Sequence, residues 1–160
     1  MSAEWGLQDR VVLITGATGY LGRALARGFG AAGAKLILTG RNERVLAELA
    51  KELPARTFAV DLTDQDAAAR VVEEAGRIDN LIINAGTLAD GLVAGLTDDD
   101  LAGVYDLNVM AAFRMLRATL KPMILNRSGN IVVISSTAAQ RPNAGQAAYA
   151  SSKAALETLV

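Results

Sequence analysis

The 160-residue sequence contains neither cysteine nor histidine. Without cysteine there can be no disulfide bond and no thiolate nucleophile. Without histidine the chain lacks both the commonest general base and the commonest metal ligand. Proton transfer must therefore use tyrosine, lysine, serine or carboxylate side chains, and we expect no bound metal.

An excess of charge of either sign is also missing, because 16 basic and 17 acidic residues leave a net charge of −1. Without a basic patch, nucleic acid and anionic membrane surfaces are not expected as partners. No apolar run reaches the roughly 18 residues that a membrane span requires, and the N-terminal sequence MSAEWGLQDR does not resemble a signal peptide. We therefore expect a cytoplasmic protein.

What the sequence does contain is a regular alternation of two patterns. Short β-branched apolar runs are typical of strands covered on both faces, and the longer segments between them have helical spacing. The predicted strands are residues 10–15, 35–39, 57–60, 80–84 and 130–135, and the predicted helices are residues 20–32, 42–53, 64–75 and about 98–126. Strict alternation predicts an α/β fold, a doubly wound parallel sheet of the Rossmann type. We expect the strand order 3-2-1-4-5 and a single dinucleotide-binding domain over residues 1–160.

Residues at the ends of the predicted helices fit these limits. Gly33 follows the first helix and Pro54 follows the second, as is typical after helix C-termini. Thr63 with Asp66, and Thr97 with Asp100, have the spacing of capping pairs. We therefore expect the third and fourth helices to begin at these two pairs.

The first predicted strand runs directly into the glycine-rich turn TGATGYLG, residues 15–22. Glycines let the backbone turn tightly and approach a ligand closely, while the following helix N-terminus offers free N–H groups to a phosphate. This arrangement is how doubly wound folds bind dinucleotides. The residues predicted to contact the cofactor here are Gly16, Thr18, Gly19, Tyr20, Leu21 and Gly22.

The second predicted strand ends in LTGRN, with Gly40 and then Arg41 but no carboxylate. In dinucleotide-binding folds an acidic residue near this point bonds the ribose hydroxyls, whereas an arginine accommodates a 2′-phosphate. We therefore predict that NADP(H) is preferred and that NAD(H) is the second candidate cofactor. The alternative is a solvated arginine at a helix start.

Tyr149 and Lys153 are four residues apart in the stretch AAYASSKAAL and so share one face of a helix. A free tyrosine has a pKa near 10, and a neighbouring ammonium lowers it by favouring the phenolate. Such a phenol can give a proton to a carbonyl oxygen or take one from an alcohol. The alternative is an ordinary half-buried helix aromatic beside a solvated charge.

Together, several motifs resemble the short-chain dehydrogenase/reductase family. They are TGATGYLG, DLTD at residues 61–64, NAG at residues 84–86, Asn108, ISS at residues 134–136 and the Tyr149-x-x-x-Lys153 pair. Residues 84–101 and 143–156 are similar to the β-ketoacyl-acyl-carrier-protein reductase branch. The resemblance implies an NAD(P)-dependent dehydrogenase or reductase that acts on a small carbonyl or alcohol substrate. A 3-oxoacyl thioester on acyl-carrier protein is one candidate, and the full-length form would be a homo-oligomer.

The resemblance also implies roles for residues after the third and fourth strands. Asp61 would contact the adenine, with the backbone of Leu62 beside it. Asn84, Ala85 and Gly86 would line the cofactor near its ribose. Apart from this resemblance, Asp61 could be a helix-start carboxylate and NAG a plain turn.

The catalytic roles are likewise implied by the resemblance. Tyr149 would be the general acid and base, and Lys153 would lower its pKa and bind the nicotinamide ribose. Ser136 would donate a hydrogen bond to the substrate carbonyl, with Ser135 as the alternative. Asn108 would hold a water molecule in a proton relay, unless its side chain only bonds locally within the helix.

Two features depart from the reductase pattern. The glycine spacing is TGxxGxxG rather than TGxxxGxG, with Tyr20 in place of a glycine, which resembles the extended branch of epimerases and dehydratases. The family usually continues well beyond the length of this chain, so we expect the domain to be incomplete at its C-terminus. A non-catalytic dinucleotide-binding fragment and an extended-branch epimerase or dehydratase therefore stay open as alternative functions.

Overall fold

The computed structural model describes residues 6–160, in which five strands alternate with helices. The strands are β1 (Val11–Ile14), β2 (Lys35–Gly40), β3 (Ala55–Ala59), β4 (Asn80–Ile83) and β5 (Asn130–Val133). The α-helices are α1 (Tyr20–Ala31), α2 (Glu43–Glu52), α3 (Ala67–Ala75), α4 (Asp98–Tyr105), α5 (Ala112–Leu125) and α6 (Ala147–Glu157). Within residues 6–160, no helix is long and apolar enough to cross a membrane.

All neighbouring strands pair in parallel, and the sheet order is β3-β2-β1-β4-β5. The predicted fold class and strand order are therefore confirmed. The order reverses between β1 and β4, and ligands of open α/β sheets bind at such a reversal, beyond the carboxyl ends of the strands. This topology places the glycine-rich turn after β1 directly beside the end of β4.

Alternation along each strand divides the core into two layers. Val12 and Ile14 of β1 lie in the layer that contains α1 and α2, whereas Leu13 lies in the layer that contains α3, α5 and α6. Successive side chains of a strand point to opposite faces, so a nearly continuous apolar run supplies both layers. This arrangement explains why the predicted strands lack the apolar–polar alternation of a half-exposed sheet.

One of the two predicted capping pairs is wrong. Thr97 and Asp100 form a reciprocal capping box at the start of α4, as predicted. Thr63 does not cap α3, because its backbone N–H and its hydroxyl both donate to Asp61 Oδ1, at 3.0 and 2.8 Å. The helix starts later, at Ala67, and the side chain of Asp66 makes no capping bond.

The long predicted helix over residues 98–126 is interrupted in its middle. Residues Asp106–Ala111 form a π-helical turn between α4 and α5. α4 packs against α6, whereas α5 packs against α3. The turn also carries Asn108, which is fully buried.

Candidate functional site

A cleft of about 360 Å³ opens at the carboxyl ends of the central strands, within the size range of small-molecule sites. It is lined by all twelve residues predicted to contact the cofactor before Tyr149: Gly16, Thr18, Gly19, Tyr20, Leu21, Gly22, Arg41, Asp61, Leu62, Asn84, Ala85 and Gly86. Gly40, Val60 and Leu107 complete the lining. These three residues were not predicted from the sequence, although Gly40 and Val60 directly precede the predicted residues Arg41 and Asp61.

The glycine-rich turn can approach a phosphate closely because three of its residues are glycines, two of which have no room for a side chain. Gly16 has φ +65°, and a Cβ there would lie only 2.8 Å from Ala85 Cα. A Cβ on Gly22 would lie 2.7 Å from Ala17 Cα. Gly19 is the N-cap of α1 and has no side chain, and the first turn of α1 holds no acidic residue. The free N–H groups and positive end of α1 therefore face the cleft, as anion binding requires.

Thr15 joins the glycine-rich turn to the end of β4. Its Oγ1 accepts hydrogen bonds from the backbone N–H groups of Asn84 and Ala85, both at 3.0 Å. The Asn84 side-chain amide donates in return to the carbonyls of Thr15 and Gly16, at 3.0 and 3.2 Å. Asn84 therefore holds the two walls of the cleft together. From the sequence, Thr15 was predicted only as the first residue of the turn, with no role of its own.

On the other side of the glycine-rich turn, Arg41 faces Asp61. Arg41 Nη1 lies 3.8 Å from Asp61 Oδ2. Hydrogen bonds from Thr63, backbone first and hydroxyl second, lower the pKa of Asp61 below its ordinary value, and Arg41 contributes. The sequence alone places no carboxylate beside Arg41, because Asp61 comes from the loop after β3, and β3 lies next to β2 only in the folded sheet.

Gly86, the glycine of NAG, lies between the cleft and a buried polar cluster. A Cβ on Gly86 would lie 3.2 Å from Asn108 Oδ1 and 3.5 Å from Lys153 Nζ. Asn108 Oδ1 accepts from the backbone N–H of Thr87 at 2.8 Å, and its Nδ2 donates to Thr87 O and to Ser152 Oγ at 2.8 and 2.9 Å. Neither Thr87 nor Ser152 was singled out from the sequence.

Lys153 is 4% exposed, although it is a lysine. Its ammonium donates a hydrogen bond of 2.8 Å to the carbonyl of Ile134, at the end of β5. Burial lowers the pKa of Lys153 below the ordinary lysine value. Lys153 Nζ lies 5.8 Å from the centre of the Tyr149 ring, so the predicted pair does share one side of α6.

The two candidate serines have different partners. Ser135 Oγ donates to Glu157 Oε1 at 2.7 Å. Ser136 Oγ accepts from the backbone N–H of Ala138 at 3.1 Å, and accepting a bond leaves a hydroxyl proton available. Within residues 6–160, no hydrogen bond joins the side chains of Tyr149, Ser136 and Lys153 to one another.

The site therefore has two parts. The first is a cleft between the glycine-rich turn and the ends of β2, β3 and β4. The second is the polar cluster of Gly86, Asn108, Ser152 and Lys153 at one end of it, with Tyr149 beside Lys153. Tyr149 and Lys153 do not line the cleft itself. Such an arrangement can hold a dinucleotide across the carboxyl ends of the strands and place one end of it beside the Tyr149 phenol and the Lys153 ammonium.

A family model described as short chain dehydrogenase matches residues 10–160. The chain belongs to the short-chain dehydrogenase family. The resemblance drawn from the motifs is confirmed, including its nearest branch. A 3-oxoacyl-[acyl-carrier-protein] reductase of Rickettsia conorii is 38% identical over 152 residues, which cover 94% of this chain and 63% of that relative. This short-chain dehydrogenase chain thus spans about 63% of the length of that curated relative.

Solved structures of other short-chain dehydrogenases share the fold. A 3-oxoacyl (acyl-carrier-protein) reductase from Agrobacterium tumefaciens with NADP bound is 32% identical with a TM-score of 0.88, covering 96% of this chain and 63% of that one. An NAD⁺-bound xylitol dehydrogenase is 33% identical, also with a TM-score of 0.88 and the same coverage. Related structures therefore hold either dinucleotide, and the likeness alone does not assign one to this short-chain dehydrogenase.

Proposed function

We propose that this chain carries the cofactor cleft and the catalytic group of an NADP(H)-dependent oxidoreductase that reduces a carbonyl to an alcohol. The observation that supports it most is the continuity of the site. A cleft lined by all twelve predicted cofactor residues reaches Gly86, and Gly86 adjoins both Asn108 and Lys153. A plain nucleotide-binding cleft would not need a buried lysine and a tyrosine at its end.

Arg41 supports NADP(H) as the preferred cofactor. Its side chain lines the cleft and is 74% exposed, so the guanidinium is accessible to a ligand. A guanidinium matches the geometry of a phosphate and binds it through paired hydrogen bonds. NAD(H) is the second candidate. The cleft-lining residues other than Arg41 would contact parts of the dinucleotide that NAD(H) and NADP(H) share.

The proposed chemistry assigns one task to each side chain. When bound, the nicotinamide supplies the hydride. Tyr149 donates the proton of its hydroxyl to the carbonyl oxygen of the substrate, and Ser136 donates a hydrogen bond to the same oxygen. The Lys153 ammonium stabilises the phenolate that Tyr149 leaves behind, since opposite charges close together favour the ionised form.

Asn108 has a limited capacity for the proposed proton relay. Both protons of its amide are used by Thr87 and Ser152, and its oxygen already accepts one bond. An amide oxygen has two acceptor positions, so a water could only donate to the second. We propose that Asn108 holds a relay water in this way while fixing the segment beside Gly86.

The substrate and assembly proposed for the whole protein follow its relatives. The Rickettsia conorii relative is a 3-oxoacyl-[acyl-carrier-protein] reductase, and we propose a 3-oxoacyl thioester carried on acyl-carrier protein as the substrate. For the assembly we propose a homo-oligomer. The exposed apolar residues Met110, Phe113, Leu120 and Ile124 of the π-helical turn and α5 support it, because such patches mark protein interfaces.

The test is consumption of NADPH by this chain, followed by absorbance, with a simple ketone and with a short 3-oxoacyl thioester. Substrate-dependent oxidation of NADPH is expected, faster with the thioester. Binding of NADPH without turnover of any carbonyl would instead favour a non-catalytic binding module. Conversion of a substrate without net loss of NADPH would favour an epimerase or dehydratase.

A further inference from the structure

The ion pair between Arg41 and Asp61 lies inside the cleft, and both residues line it. Arg41 is the residue proposed to hold a 2′-phosphate. Among residues 6–160, Asp61 is the only acidic residue within ion-pair distance of it, at 3.8 Å. The guanidinium that a phosphate would need therefore already has a carboxylate opposite it.

The two partners differ in freedom of movement. Asp61 Oδ1 is held by the backbone N–H and the hydroxyl of Thr63. The loop itself is anchored from α5, because Arg114 Nη1 donates to the carbonyl of Thr63 at 3.2 Å and also contacts Asp106. Asp61 Oδ2 thus points from a fixed position, whereas Arg41 has a long, mostly exposed side chain. A ligand can move the arginine but not the carboxylate.

We propose that Asp61 sets the cofactor selectivity of the cleft by competing with the 2′-phosphate of NADP(H) for Arg41. The inference rests on the proposed function, since it concerns the same dinucleotide site. Binding of NADP(H) draws Arg41 away from Asp61 and brings a second anion close to a fixed one. Binding of NAD(H) leaves the ion pair in place. Asp61 therefore reduces the preference for NADP(H) over NAD(H) that Arg41 creates. It acts on the cofactor through the position of the arginine, as a positioning residue.

A role as an adenine contact predicts something else for Asp61. NADPH and NADH carry the same adenine, so loss of an adenine contact would weaken both to the same extent. Competition for Arg41 would change the affinity ratio of the two cofactors. The ratio therefore separates the two roles, and a merely structural role would not move it.

The experiment is a fluorescence titration of the chain with NADPH and with NADH. The variant Asp61→Asn removes the charge but keeps an oxygen that can accept from Thr63. Asp61→Ser is a second variant that can still form the turn. The control is Asp64→Asn, an exposed carboxylate of the same loop that makes no ion pair within residues 6–160. Arg41→Ala, alone and combined with Asp61→Asn, completes the set, and thermal melting checks the fold of each.

Asp61→Asn is expected to raise the preference for NADPH over NADH by about two- to fivefold, the range that an exposed ion pair allows. Asp64→Asn should leave the ratio unchanged, and in the Arg41→Ala background Asp61→Asn should no longer alter it. Equal losses for both cofactors, or the same gain without Arg41, would overturn the inference while the proposed function stands. If the unmodified chain binds neither dinucleotide, both the inference and the proposed function are overturned.

Discussion

At the scale of single residues, the site pairs a half-buried tyrosine with a fully enclosed lysine on the same side of α6. Lys153 is fixed by the Ile134 carbonyl, and this contact holds its ammonium beside the Tyr149 ring. Because the Ile134 carbonyl already holds the Lys153 ammonium in place, the ammonium can interact with the Tyr149 phenol without a further loss of side-chain entropy. The local geometry therefore supports Tyr149 as the proton donor, which one substitution can test.

Replacing Tyr149 with phenylalanine removes only the hydroxyl that is proposed to give the proton. Turnover should fall by roughly 10²- to 10⁴-fold, the usual contribution of a general acid. NADPH affinity should stay nearly unchanged, since Tyr149 does not line the cleft. Steady-state rates and a NADPH titration measure the two effects. Tyr105→Phe, at another half-buried helix tyrosine, is the matched control. Full activity of the Tyr149 variant would refute the assignment.

Replacing Arg41 with alanine removes the charge that is proposed to hold the 2′-phosphate. NADPH should bind about tenfold more weakly, because hydrogen bonds to charged groups are worth more than neutral ones. NADH should be affected much less, since it lacks that phosphate. Titrations with both cofactors measure the difference. Arg44→Ala, an exposed arginine of α2 paired with Glu48, is the control. Equal losses for both cofactors would contradict the assignment.

At the scale of elements, two of the three glycines of α1, Gly22 and Gly28, have opposite steric requirements. Gly22 packs so closely against Ala17 and the Gly16 carbonyl that a methyl group has no room. Gly28, less than two turns later, has nothing within 4 Å of the position of a Cβ. The two positions therefore form a matched pair of substitutions within one helix.

Gly22→Ala should destabilise the chain by about 1–3 kcal/mol, the usual cost of overpacking, and should weaken NADPH binding by displacing the glycine-rich turn. Gly28→Ala should stabilise it by about 0.5–1 kcal/mol, because alanine loses less backbone entropy in a helix. Chemical denaturation and a NADPH titration measure both effects. If both variants change the free energy of unfolding and the NADPH affinity to the same extent, the close packing of Gly22 does not fix the conformation of the glycine-rich turn.

Sequence patterns predicted the elements well where the signal is local. The five apolar runs correspond to the five strands, and the signal is strongest in the central strands β1, β2 and β4, which are buried on both faces and therefore almost entirely apolar. The start of α3 was mispredicted, since Thr63 bonds backwards to Asp61 instead of forwards into the helix. No local sequence signal marks the π-helical turn, because residues 98–126 keep helical spacing on both sides of it.

The candidate site, too, could be predicted from the sequence only where the signal is local. The twelve residues predicted to contact the cofactor lie in short motifs, so their common place along the cleft could be predicted from their order in the chain. Gly40, Val60 and Leu107 line the cleft only because strands that are distant in sequence end side by side. The Arg41–Asp61 and Asn108–Ser152 contacts also join residues that are distant in sequence. Such pairings depend on the packed structure, and no spacing rule could have predicted them.

At the scale of the whole molecule, Asp79 holds the sheet together at the end opposite the cleft. Its carboxylate, 8% exposed, accepts from the backbone N–H of Val11 at 2.9 Å and pairs with Arg77 at 2.7 Å and Arg10 at 3.4 Å. The Asp79 carbonyl accepts from the Asn130 backbone N–H at 2.9 Å. One residue thus links the amino ends of β1, β4 and β5.

Asp79→Asn should lower the free energy of unfolding by about 1–3 kcal/mol at neutral pH, because charged hydrogen bonds are lost. Burial raises the pKa of Asp79, but the bonds from Val11, Arg77 and Arg10 more than offset it and leave the pKa below the usual 3.8. For an acid with a lowered pKa, the stabilisation is complete above the unfolded value and disappears as the pH falls through the folded one.

The unfolding free energies of the wild type and the Asp79→Asn variant should therefore converge below about pH 3.8, the ordinary pKa of the carboxyl. Denaturant unfolding at a series of pH values measures this difference. Asp90→Asn, at an exposed position, should show little effect at any pH. A constant difference between wild type and Asp79→Asn across the acid range would show that the charge of Asp79 is not what stabilises the sheet.

The π-helical turn at Asp106–Ala111 also determines which insertions and deletions the protein can tolerate. Such a turn contains one residue more than an α-helical turn would hold, and each residue of a helix rotates the chain by about 100°. Deleting one codon here would restore a regular helix and leave Met115 and Leu116 facing α3, but it would remove the widened turn that carries the buried Asn108. We therefore expect a one-codon deletion here to disturb the site through Asn108 while the core keeps its packing, whereas a one-codon insertion, which would rotate α5 by about 100°, would be eliminated by selection.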